Sequence, residues 1–277
     1  MTATSPRAGT TDSRPSTSKP TRSRAPLLER ESITVVAPGV HRLQRASVNC
    51  YLIESDDGIT LVDGGVPGMW RTLLRALGGI GATPDDIDAV ILTHGHFDHV
   101  GMCDRLLRDH ALRPLVHEGD RELVRHPYRY RRQIPRWRYL IRYPKSLPTI
   151  AAMTVAGALW VEGVKPKADV RPGQPLDVPG RPLPVWTPGH TDGHCAFLLP
   201  DRGVLFTGDA LVTLDPYTGR TGPRLVARAA TADAATNLVS VAKLAEFDAS
   251  VVLPGHGLPF VDGIRVAVRE AVRAGAA

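Results

Sequence analysis

The chain has 277 residues, 43% of them hydrophobic, which is enough to bury the core of one large domain or two small ones. No apolar run approaches the ~20 residues that a transmembrane helix needs, so we expect no membrane-spanning segment. The net charge of +6 is uneven, because residues 1–30 carry +4 and residues 121–145 carry +8, which leaves the remainder at −6. The pI of about 9.5 therefore describes two segments and does not indicate a basic domain.

The first 30 residues are rich in Ser, Thr, Pro and Arg and lack the apolar core of a secretory signal. We expect a disordered basic tail there, followed by a single domain over residues 31–277. The three cysteines, Cys50, Cys103 and Cys195, are odd in number and form no C-x-x-C pair. That usage argues against a disulfide framework and favours a cytoplasmic location.

Hydrophobic periodicity predicts alternating strands and helices in the first half of the chain. The predicted strands are Val48–Glu54, Gly58–Val62, Asp88–Leu92 and Pro114–His117. Helices are predicted at Pro67–Leu77, with Gly78 and Gly79 as its end, and at Met102–Asp109. A strand, a loop, a helix and a strand in this order are typical of a layered α/β fold, whose sites lie at strand ends.

The periodicity is lost from about Arg121 to Lys167 and returns at Leu183. The second half then predicts short strands at Leu183–Trp186, Cys195–Leu199, Val204–Phe206 and Ser250–Leu253. Two helices are predicted there, at Thr231–Phe247 and Ile264–Val272.

One loop is dense in metal-ligating side chains and directly follows the predicted strand Asp88–Leu92. Its candidate ligands are His94, His96, Asp98 and His99. Imidazole and carboxylate without thiolate suit zinc, iron or manganese. On a helix, residues two apart point to opposite sides, whereas at a strand end His94 and His96 can face the same ion.

The ends of four other predicted strands also carry a histidine or an aspartate that could bind a metal ion. They are Asp63 in Leu-Val-Asp-Gly-Gly, His190 in Thr-Pro-Gly-His, Asp209 in Thr-Gly-Asp and His256 in Pro-Gly-His. Three of the four directly follow glycine, as expected of tight turns that each present one ligand. We therefore expect these side chains to complete a metal site with the histidine-rich loop.

In this order the motifs resemble those of the metallo-β-lactamase superfamily, and in style they are most similar to glyoxalase II-like thioesterases. The resemblance runs from about Thr34 to Pro259. It implies an α/β fold, the αββα four-layer sandwich, with a two-metal site between the sheets. The ligands that it implies are His94, His96 and His190 for the first ion, Asp98, His99 and His256 for the second, and Asp209 between the two. Asp63 would orient a ligand histidine.

The resemblance implies hydrolysis of a small ester-type substrate, such as a thioester or lactone, by a hydroxide held between two divalent ions. Zinc is the expected metal, with iron or manganese as alternatives. The catalytic candidates are Asp209, which holds both ions, and Asp98, which could also transfer a proton. Two other functions stay open: a persulfide dioxygenase-like oxidoreductase with a single iron, and a phosphodiesterase or nuclease.

Residues 121–167 form an insert in which arginines alternate with aromatic side chains. We expect it to be a substrate lid that offers arginine to an anionic group and aromatic rings to an apolar one. The candidate contacts are Arg129, Tyr130, Arg132 and Trp137. A homodimer surface is one alternative, and contact with nucleic acid or an anionic membrane is another. The net charge of −6 outside the basic segments disfavours nucleic acid.

Overall fold

The computed structural model describes residues 31–277 and the first two residues of the chain. Two β-sheets form its centre. The first contains five strands in the order β1-β2-β3-β4-β5, and the second four strands in the order β11-β8-β7-β6. The strands of the first sheet are β1 Glu31–Ala37, β2 Val40–Arg45, β3 Val48–Ser55, β4 Gly58–Val62 and β5 Ile87–Ile91. Those of the second are β6 Leu183–Trp186, β7 Cys195–Leu199, β8 Val204–Gly208 and β11 Val251–Pro254.

Most neighbouring strands are antiparallel, but each sheet contains one parallel pair, β4 with β5 and β8 with β11. A separate hairpin pairs β9, Val212–Leu214, with β10, Thr221–Arg224. The helices are α1 Trp70–Gly79, α2 Phe97–Val100, α3 Cys103–His110, α4 Arg121–Arg125, α5 Arg136–Arg142, α6 Leu147–Val155, α7 Ala234–Lys243 and α8 Ile264–Ala274. None of the helices in the described part is long and apolar enough to cross a bilayer.

Alternating burial along the strands separates the three largest apolar clusters of the described residues. One face of β3 sends Cys50 and Leu52 towards α1 and α3, while its other face sends Tyr51 and Ile53 towards Phe197 and Phe206 of the second sheet. A third cluster packs the outer face of the second sheet against α7 and α8. Helix, sheet, sheet and helix are thus stacked in four layers, which confirms the αββα sandwich.

Several element boundaries differ from the prediction. The hairpin β1–β2 was not predicted, because β2 alternates buried apolar residues with polar ones and buries Arg42, which bonds to Asn49 Oδ1 at 3.0 Å. The strand expected at Pro114–His117 is a single bridging residue, Leu115, between Ile91 and Lys167. Helix α1 begins at Trp70, after a 3₁₀ turn over Pro67–Met69, and includes the glycines that were expected to end it.

Two further predictions concern the N-terminal tail and the insert. The basic tail predicted for residues 1–30 lies almost entirely outside the described residues. The insert, where no period was recognised, folds as three short helices, α4, α5 and α6. Each has nine residues or fewer, which is too short for a helical period to stand out in the sequence.

Candidate metal centre

The metal-ligating side chains predicted from the sequence gather at one edge of the two sheets. Asp63 follows β4 and the histidine-rich loop follows β5, both in the first sheet. His190 lies between β6 and β7, and Asp209 and His256 follow β8 and β11, all in the second sheet. The cluster therefore joins both halves of the sandwich.

Ligand atoms of these residues come together in three overlapping groups. Within each group the atoms lie within 4.8 Å of one another. The groups are His94, His96 and His190; His94, His99 and Asp209; and Asp98, His99 and His256. The first and third groups contain the side chains that the sequence resemblance divides between two ions.

Asp209 lies between the two outer groups. Its Oδ2 is 3.5 Å from His190 Nε2 and 3.3 Å from His256 Nε2, and its Oδ1 is 3.6 Å from His99 Nε2. Ligand atoms around one zinc ion, with bonds of about 2.0–2.2 Å, are separated by distances of this order. One carboxylate can therefore contact ions in both groups.

Unpartnered polar atoms provide an independent test of whether the cluster fits a metal. Within the described chain the Nε2 atoms of His94, His96 and His99 and Oδ1 of Asp209 are buried without any hydrogen-bond partner. Buried polar atoms are nearly always paired, and leaving one unpaired costs about 1–3 kcal/mol. Four such atoms in one cluster indicate that the residues present fit bound cations.

The protonation states of the cluster histidines also favour cation binding. Burial lowers the pKa of His94 and His96 well below the ordinary value, and that of His190 to about 3, so these rings are neutral and keep free lone pairs. Burial opposes protonation of His256 too, but Asp209 and Asp98 outweigh it and raise its pKa to about 10. An imidazole nitrogen that holds a proton this strongly also attracts a divalent cation, because the proton and the cation bind to the same nitrogen lone pair.

Asp63 and Thr93 fix the orientation of two ligand rings. Asp63 Oδ2 accepts a hydrogen bond from His99 Nδ1 at 2.9 Å, which directs His99 Nε2 into the cluster. Thr93 Oγ1 lies 2.9 Å from the same carboxylate oxygen and 3.0 Å from His94 Nδ1. The aspartate has a φ of 63°, a left-handed conformation that is rare for residues other than glycine.

A close backbone approach brings the last strand end to the cluster. A Cβ on Gly255 would collide with Asp209 Oδ1 and lie 2.7 Å from His99 Cε1. Only glycine therefore allows the chain to pass beneath these two side chains and to present the next residue, His256.

Asp120 connects two ligand loops and was not singled out from the sequence. Its carboxylate accepts hydrogen bonds from Gly95 N at 2.9 Å, from Thr191 Oγ1 at 2.7 Å and from Gly193 N at 2.7 Å. Burial raises its pKa to about 6, although the three hydrogen bonds favour the ionised form. It lies in a 3₁₀ turn without ligand neighbours, so no local sequence signal distinguishes it.

His194 is buried beside the cluster, but both of its ring nitrogens are engaged. Nδ1 lies 2.7 Å from Thr187 Oγ1, and Nε2 accepts hydrogen bonds from the backbone N–H groups of Asp209 and Ala210. This histidine supports the turn that carries Asp209.

A pocket of about 140 Å³ opens onto the cluster. Four of the candidate ligands, His96, Asp98, Asp209 and His256, form part of its wall. Most of the rest comes from two regions: the insert, through residues such as Tyr130, Arg136 and Leu140, and the segment after β8, through Tyr217 and Val226. Most of this remaining lining is apolar.

Of the four substrate contacts proposed from the sequence, one lines the pocket at the cluster and three lie elsewhere. Tyr130 is buried, lines the pocket and packs on His96 with ring centroids 4.1 Å apart. Arg129 is exposed and lines a separate, more polar pocket beside His190 and Asp120. Arg132 is exposed and Trp137 is 61% exposed, and neither lines the pocket at the cluster. Arg136 and Tyr217 line it and were not among the proposed contacts.

Comparison with known proteins supplies the deciding observation. The family model of the metallo-beta-lactamase superfamily matches residues 43–256, a range that includes every residue of the cluster. The chain belongs to this superfamily. Membership confirms the resemblance read from the ordered motifs, and it makes a metal-dependent hydrolase the general class of this protein.

Individual members of the superfamily agree with this assignment. The probable metallo-hydrolase YflN of Bacillus subtilis is 26% identical over 238 residues, which cover 80% of this chain and 85% of YflN. A metallo-beta-lactamase family protein of Thermus thermophilus, TTHA1429, superposes with a TM-score of 0.62 and 27% identity, over 86% of this chain and 80% of its own. Relatives found by sequence are matched over 61% to 86% of their own lengths.

A third similar protein was crystallised with metal bound. The protein TTHA1623, in a di-iron-bound form, superposes with a TM-score of 0.56 and 25% identity. The superposition covers 83% of this chain and 96% of that one.

Proposed function

We propose that this superfamily member is a hydrolase that uses two divalent metal ions to cleave a small ester-type substrate, a thioester, a lactone or a similar compound. Zinc is the metal that we propose first. Iron and manganese accept the same imidazole and carboxylate donors.

One observation carries the proposal: Asp209 lies between two groups of buried ligand atoms, and the same cluster forms part of the wall of a largely apolar pocket. His94, His96 and His190 would hold one ion, and Asp98, His99 and His256 the other. Two divalent ions held by these residues would lower the pKa of bound water and polarise a carbonyl group. Hydrolysis at neutral pH then needs no serine or cysteine nucleophile.

The residues around this pair have separate tasks. Asp209 keeps the two ligand groups in contact, and Asp63 with Thr93 holds the rings of His99 and His94 in the ligating tautomer. Asp98 is the acidic group that we propose for proton transfer, because it lines the pocket and lies 3.3 Å from His256 Nε2. The apolar wall excludes water around the scissile bond, which strengthens each of these electrostatic contacts.

Two comparisons support the proposal. YflN is described as a probable metallo-hydrolase, and TTHA1623 has been crystallised with two irons. The pocket is small, which favours a small substrate over a polymer.

The experiment that tests the proposal combines metal analysis with an activity panel of thioesters, lactones and bis-p-nitrophenyl phosphate. We expect two metal ions per chain and turnover of a thioester or lactone, and we expect Asp209→Ala to abolish that turnover. A single iron with oxygen consumption would instead identify an oxidoreductase. Cleavage of the phosphodiester alone would identify a nuclease or phosphodiesterase.

A further inference from the structure

One cation in the pocket has no partner within the described chain. Arg136, the first residue of α5, lines the pocket, and its Nε is buried without a hydrogen-bond partner. Neighbouring arginines of the insert behave differently: Arg125 pairs with Glu122 at 3.0 Å and Arg131 with Asp192 at 2.6 Å, both near the surface. Arg136 instead lies with its guanidinium carbon 4.7 Å from the centre of the Tyr130 ring.

The free-energy cost of burying Arg136 Nε without a hydrogen-bond partner indicates that a ligand binds there. A buried donor on a charged group is expensive to leave unpaired, and a stacked aromatic ring compensates for only part of that cost. The described chain supplies no carboxylate to the guanidinium. A bound anion would pair it.

Two phenol groups extend the polar part of the pocket. Tyr130 Oη and Tyr217 Oη lie 3.3 Å apart, and both rings line the pocket with Arg136. A phenol keeps its proton at neutral pH, and because these two hydroxyl groups share one hydrogen bond, one of them can donate its hydrogen to a bound ligand. A guanidinium fork with an adjacent hydroxyl is suited to the two oxygens of a carboxylate.

The rest of the wall restricts the substrate further. Leu140, Ile150, Met153, Leu159, Val226 and Ala230 line the same pocket. A single arginine among them matches one negative charge better than the two charges of a phosphate monoester. The enclosed volume of about 140 Å³ admits a short acyl chain or one ring.

We propose that the substrate carries one free carboxylate, bound by Arg136 beside the Tyr130–Tyr217 pair, and a short apolar body between that carboxylate and the scissile ester. This assignment rests on the proposed ester hydrolysis and adds the substrate class to it. Arg136 acts on substrate affinity and not on the reacting carbonyl.

The test compares monomethyl adipate, which carries one carboxylate, with dimethyl adipate, which has none. Binding of both is measured by calorimetry on the metal-loaded wild type, on Arg136→Met and on Arg138→Met. Arg138 is an exposed arginine of the same helix and serves as the matched control. We expect the wild type and Arg138→Met to bind the monoester about 10- to 100-fold more tightly than the diester, and Arg136→Met to lose this preference, as expected when one charged hydrogen-bonding partner is removed.

Each result has a defined meaning. Equal affinity of the wild type for the two compounds would overturn the carboxylate site. A preference that survives in Arg136→Met would also overturn it, because the carboxylate would then be bound elsewhere, for instance by the metal ions. Thermal unfolding of Arg136→Met checks that the variant is folded. Release of methanol is followed in the same samples, so that a carboxylate preference without turnover of any ester would contradict the hydrolase and leave the binding site intact.

Discussion

At the scale of single residues, the candidate metal centre depends on side chains that position its ligands and are not proposed as ligands themselves. Asp63 is an example, because it accepts hydrogen bonds from Thr93 N at 2.8 Å and from His99 Nδ1 at 2.9 Å. Asp63 has the left-handed backbone conformation described above, and in it both carboxylate oxygens contact these partners. Strain of this kind is found where a fold must place a group at one defined position.

Replacing Asp63 by asparagine is expected to weaken metal binding. The amide nitrogen would face an N–H group of Thr93 or His99, so one ligand ring would lose its fixed tautomer. Loss of such a partner typically costs about 10- to 100-fold in metal affinity. Competition with a chromogenic chelator measures this change, and Asp56→Asn, an exposed neighbour in sequence, is the control. Unchanged affinity in Asp63→Asn would contradict the orienting role.

His190 gives the metal-free protein a defined pH dependence. Burial lowers its pKa to about 3 in the folded state, while the unfolded chain titrates near the ordinary value of about 6.5. Below pH 6.5 the unfolded state therefore binds the extra proton, so this contribution to stability is lost as the pH falls from 6.5 towards 3. Between pH 7.5 and 5.5 the wild type should lose about 1 kcal/mol more than His190→Gln.

Urea unfolding in the presence of a chelator measures that difference. Equal losses for the wild type and His190→Gln would mean that His190 is not held as a neutral imidazole.

At the scale of elements, the ligand loops are tied to one another and not only to their strands. Asp120 joins the loop after β5, through Gly95, to the loop before β7, through Thr191 and Gly193. These loops carry His94 and His96 on one side and His190 on the other. The carboxylate thus holds one group of three ligands together across the two sheets.

We expect Asp120→Asn to lower kcat/KM for the proposed ester substrate by at least about tenfold, because one of its amide hydrogens would oppose a backbone donor. Glu118→Gln is the control, since Glu118 is exposed in the same turn and pairs with the exposed side chain of Arg121 at 3.5 Å. Steady-state kinetics on the three proteins check this prediction. Activity of Asp120→Asn equal to that of the control would show that the loops keep their spacing without the carboxylate.

The helices of the insert explain why its contacts were difficult to predict. Residues four apart share a helix face, so Arg136 and Leu140 of α5 both line the pocket. Trp137 and Ile141 occupy another face and are 61% and 74% exposed. A composition of arginine and aromatic residues indicates a binding region but does not specify the rotation of a seven-residue helix. The position of Arg136 required the three-dimensional structure.

At the scale of the whole molecule, the candidate ligands could be proposed from the sequence because their signals are local. Short apolar strands followed by glycine and a histidine or aspartate mark His190, Asp209 and His256, and the structure brings them to the loop that contains His94. Non-local features escaped prediction: Asp120 and Arg136 are defined by contacts between distant segments. The β1–β2 hairpin also escaped, because its buried Arg42 hides the apolar alternation.

The central claim is that hydrolysis depends on two metal ions held across the two sheets. It is tested most directly by titrating metal into chelator-treated protein while measuring ester hydrolysis. We predict that activity rises until two equivalents of metal per chain have been added and then stays constant. Full activity at one equivalent, or activity independent of metal, would contradict the account.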